Sequence, residues 1–75
     1  DALATLAEAA LMTGDIAAAT AYWEKILEIS PDNYDVLAAL ATTLASSDRE
    51  RAVRYARRAL AIRPNNALER ICGGL

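Results

Sequence analysis

Few residues in this chain could do chemistry, and their spacing points away from catalysis. Histidine, the commonest general base, is absent. Cys72 is the single soft nucleophile; only Arg70 stands near it in sequence, and it reads as a small apolar packing residue. One cysteine also excludes an internal disulfide. The carboxylates are spread singly along the chain, with no pair that stands out. Neither a Cys/His cluster nor an acidic loop is present to hold a metal. The sequence therefore predicts no catalytic residue, no metal ligand and no cofactor, and the chain is not read as an enzyme.

The one concentrated chemistry is cationic. Arg51, Arg54 and Arg58 recur at three-four spacing with Arg57 beside them, which could form a phosphate-contacting patch on one helix face. No aromatic platform interleaves with it, and Glu50 stands four residues before Arg54, where it can pair along the helix. A solvated face is the expectation, an acidic protein partner the next reading, and nucleic acid is not expected. The net charge of −2 is too small to argue for a polyanion. It is unevenly placed, however. Residues 1–33 hold six acids against Lys25, a net −5, whereas residues 34–75 hold four acids against seven arginines, a net +3.

The elements that carry these residues are helices. A hydrophobic fraction of 55% with only 5% aromatics means a core of alanine, leucine and isoleucine, which favours helix throughout. From Gly14-Asp15 to Ile29 there is no internal Gly or Pro, and Ile16, Ala19, Trp23, Ile26 and Leu27 recur at helical spacing until Ser30-Pro31 stops the run. The same reasoning predicts helices over 2–13, 15–29, 33–45, 48–62 and 66–72. Asp15, Asp32 and Asn65 are expected to cap helix starts, and Ser47-Asp48-Arg49-Glu50 to form a capping box. No apolar run approaches the ~18 residues of a membrane span.

The pattern repeats. Ala19 and Ala52, Ile29 and Ile62, Pro31 and Pro64, and Asn33 and Asn66 are each 33 residues apart. Leu3, Leu6 and Ala7 match Leu37, Leu40 and Ala41 at 34, so a one-residue slip falls between Ala7 and Asp15. A period of this length signals a helical array. In its first helices (Leu3, Leu6, Ala7; Leu37, Leu40, Ala41) and its second helices (Ala19, Trp23, Ile26, Pro31; Ala52, Ala56, Ala59, Pro64) the chain resembles two tetratricopeptide repeats plus the start of a third helix pair. There are departures: leucine stands where the family often has tryptophan, Ala10 and Ala56 where it has an aromatic, and Ile26 where it has alanine.

The resemblance implies an all-α fold, an antiparallel helix-pair solenoid with right-handed superhelical twist and about five helices. It divides the chain into a first repeat at 1–33, a second at 34–66 and a truncated capping helix at 67–75, within a larger array. It further implies a protein-interaction scaffold, non-catalytic, that binds a partner peptide or helix in a concave groove. The groove places fall on Ala4, Glu8, Leu11, Met12, Ala38, Thr42, Ala45 and Leu68, with Ser46 alongside. The family's best-known groove chemistry, a cationic clamp on a carboxylate tail, is not matched: its five places read Ala4, Glu8, Ala39, Leu68 and Cys72. Self-assembly is the alternative, as a homo-oligomer through uncovered terminal helices, because Val53, Leu60 and Ile62 lack the full third pair that normally covers them. The alanine- and arginine-rich style is similar to bacterial repeat domains.

Overall fold

Gly14 is the pivot of the first helix pair. The computed structural model describes residues 2–73, and within them α1 spans Ala2–Met12, α2 Ile16–Ile29, α3 Tyr34–Leu44, α4 Arg49–Ile62 and α5 Asn66–Gly73, with no strand among the described residues. Gly14 has φ +83°, the left-handed conformation that glycine adopts without steric cost. Its N–H donates to the Leu11 carbonyl at 3.1 Å, and the N–H of Asp15 donates to the Ala10 carbonyl at 2.8 Å. That pair of bonds is the Schellman arrangement, which satisfies the last carbonyls of α1. Asp15 then begins α2, its Oδ1 accepting the Ala18 N–H at 3.1 Å. The chain reverses within three residues.

Two compact units divide between Asn33 and Tyr34. In the first, α1 packs on α2, and the small side chains of Ala7 and Ala19 are wholly enclosed. Alanines at such places let helix axes approach toward the short end of the usual range. Trp23, Ile26 and Leu27 complete the buried face of α2, together with Thr20.

In the second unit α3 packs on α4, and α5 packs on both. Leu37, Leu40, Ala41 and Leu44 of α3 are buried with Ala52, Ala56 and Ala59 of α4. Leu68 of α5 is fully enclosed, so the short helix does cover this core. Cover of α4 is partial: Val53 and Leu60 are half-buried, and Ile62 remains exposed. Asn65 fixes the start of α5, its Oδ1 accepting the N–H groups of Ala67 (2.9 Å) and Leu68 (3.2 Å) while its Nδ2 donates to the Tyr34 hydroxyl at 2.8 Å. The Arg63 guanidinium lies 4.7 Å from the centre of the Tyr34 ring, a cation–π contact on the same joint.

Two local expectations differ from the structure. The capping residue of α4 is Asp48, one place after Ser47; its Oδ1 accepts from the Arg51 N–H at 3.3 Å. Arg51 therefore stands where a capping box needs a carboxylate, and its side chain turns back to Asp48 at 3.9 Å. α3 begins at Tyr34, so Asn33 flanks it, while Asp32 lies in the turn closed by the Asn33 N–H on the Ser30 carbonyl. The repeat slip has a simple cause: α1 continues five residues past Ala7, α3 only three past Ala41, and the second turn regains one of the two.

Candidate functional site

On α1 the expected contact residues share one side of the helix. Ala4, Glu8 and Leu11 follow four- and three-residue spacing, and Met12 continues the same edge. Ala4 is half-buried and Glu8 exposed; Leu11 is 39% and Met12 88% accessible. α1 thus presents an accessible apolar pair next to one carboxylate. The Schellman turn fixes the end of the helix where Leu11 and Met12 sit.

In the second unit, Ala38 and Thr42 are one turn apart on α3, the first half-buried and the second exposed. The Thr42 hydroxyl is already engaged, donating toward the Ala38 carbonyl at 3.0 Å and the Ala39 carbonyl at 3.1 Å. What Thr42 offers a ligand is chiefly its methyl group. Ala45 lies past the end of α3, half-buried in the turn, and is not part of a helix face. Leu68 is a correction. With no accessible surface it is a core residue, because α5 has one apolar side and spends Leu68 on closing the packing with α3 and α4.

The cationic helix is also accessible. Arg54, Arg57 and Arg58 are exposed; Arg51 is drawn to its own helix cap. Arg54 and Glu50 approach only to 3.8 Å with both side chains largely in solvent, a pairing that contributes little. An open hollow of about 620 Å³ on α4 is lined by Arg49, Glu50, Val53, Arg54, Arg57 and Arg58. From sequence, Arg49 reads only as part of a helix cap and Val53 only as one of the uncovered apolar residues, although Arg49, Val53 and Arg57 recur every four residues. Among the described residues no group of three His, Cys, Asp or Glu is placed to hold a metal, and no helix is long and apolar enough to cross a membrane. Cys72 is half-buried, its thiol 3.7 Å from the Val53 carbonyl.

Comparison with known proteins agrees with this geometry. A family model described as tetratricopeptide repeat matches residues 1–43, which run through α1, α2 and nearly all of α3. No curated protein and no solved structure matches the chain. Two α-hairpins with alanines at the close contacts, a 33-residue period ending in proline, and a family match over more than half the length lead to one assignment: the chain belongs to the tetratricopeptide repeat family.

Proposed function

We propose that the chain is a non-catalytic interaction scaffold that holds a partner peptide or helix against the faces of its first helices. Tetratricopeptide repeats are generally protein-interaction scaffolds. The observation that supports a site on the first helices is the exposure of Leu11 and Met12 beside Glu8 on α1. Large apolar side chains left in water release free energy when a partner covers them, and methionine adapts to varied partner shapes. On α3, Ala38 and Thr42 add a small, low-relief surface of the same kind. Glu8 disfavours a partner that offers a bare carboxylate there and favours one with a lysine or arginine.

The test uses a peptide selected from a random library against the immobilised domain. Leu11→Glu together with Ala38→Glu is expected to abolish its binding while helicity by circular dichroism is retained. Replacing Arg54, Arg57 and Arg58 by alanine is expected to leave most of the affinity. Loss of binding in the arginine variant alone would move recognition to α4 and overturn the proposal.

A further inference from the structure

The proposed partner site leaves the arginine face of α4 unused. Arg49, Val53 and Arg57 form one row along the helix at four-residue spacing, and Glu50, Arg54 and Arg58 form the next. These six side chains line the open hollow, with Val53 as its half-buried apolar member. Glu50 is the single acid among its lining residues, against four arginines, and it approaches Arg54 only to 3.8 Å.

The repeat places an opposite surface on α2. Ala17, Ala21, Glu24 and Glu28 recur there at four-, three- and four-residue spacing on one side of the helix. At the 33-residue offset Glu24 occupies the place of Arg57, and Ala21 that of Arg54. Ala17, Ala21 and Glu28 are exposed and Glu24 is half-buried; Lys25 borders this side, and Asp32 lies in the turn beyond its end.

We propose that the arginine face of α4 takes the α2 face of a second copy of the chain. The two faces are complementary at three levels. The halves carry opposite net charge, −5 over residues 1–33 and +3 over residues 34–75. Within them, Glu24 and Glu28 on one helix meet a face bearing Arg54, Arg57 and Arg58, and guanidinium and carboxylate pair with well-defined geometry. The small side chains of Ala17 and Ala21 also allow a neighbouring helix to approach closely enough for Val53 to be covered. The two patches differ, so the contact is head-to-tail. Exposed pairs contribute little individually, and the association is therefore weak and falls with salt.

Sedimentation of the whole chain at rising concentration, in about 20 mM and about 500 mM salt, reads this out. Wild type is expected to associate in low salt and to lose on the order of tenfold in association constant in high salt. Arg54→Glu with Arg57→Glu, and separately Glu24→Arg with Glu28→Arg, are each expected to be monomeric with wild-type helicity. An equimolar mixture of the two variants should associate again, because reversed charges meet across the contact. The milder Arg54→Gln, Arg57→Gln variant should fall between. A wild type that stays monomeric in low salt overturns the proposal, as do reversal variants that associate like wild type or a mixture that fails to recover. A monomer that instead binds a polyglutamate peptide would assign the face to a foreign acidic partner and overturn the second-copy reading.

Discussion

Trp23 and Thr20 show how differently two buried residues of one helix are used. Trp23 is 5% accessible, and Trp23→Ala is expected to cost roughly 3–5 kcal/mol, as removal of a buried aromatic does. Tyr22, its half-buried neighbour, should cost far less on the same truncation, and urea melts of the two variants compare them directly. Equal midpoints would mean that the inward face of α2 is rotated by one residue. Thr20 presents the reverse case. Its hydroxyl is buried and meets no hydrogen-bond acceptor or donor among the described residues, so Thr20→Val should raise stability by about 1 kcal/mol. A loss of stability in that variant would show that the hydroxyl has a bonding partner.

At the scale of elements, the turns and joints rest on single residues. Gly14 has a positive φ and open space around its Cβ position, so Gly14→Ala meets backbone strain alone. A cost of roughly 1–2 kcal/mol in a thermal or urea melt is expected, and an unchanged midpoint would contradict the left-handed turn. Asn65 serves two elements at once. Asn65→Ala removes the α5 cap and the bond to Tyr34, whereas Tyr34→Phe removes only the second. The first should destabilise by about 1 kcal/mol more than the second and speed hydrogen exchange in α5. Helix positions were legible because capping residues, Gly14 and the two prolines punctuate an otherwise helix-favouring chain. The capping box was not, because Ser47 and Asp48 are both good caps and only the start of α4 decides between them. Leu68 was misplaced for a physical reason as well: repeat register assigns a side chain to a helix face, but the packing of α5 against α3 and α4 decides whether that face meets water.

At the scale of the molecule, the chain separates two kinds of surface. α1 exposes Leu11 and Met12 with one acid, and α4 exposes arginines around a half-buried valine. The first supports partner binding by apolar burial, which salt hardly affects; the second supports a weak contact that salt weakens. The candidate partner face was legible only as far as the family register reaches. Ala4, Glu8, Leu11 and Met12 lie along one side of α1, Ala45 falls in a turn, and the Thr42 hydroxyl is spent on its own helix. The most direct test of recognition by the first helices is to titrate the isotope-labelled chain with a library-selected peptide and follow its backbone amide shifts. The largest changes are expected to cluster at Ala4, Glu8, Leu11 and Met12, with smaller ones at Ala38 and Thr42. Changes confined to α4, with α1 silent, would contradict recognition by the first helices.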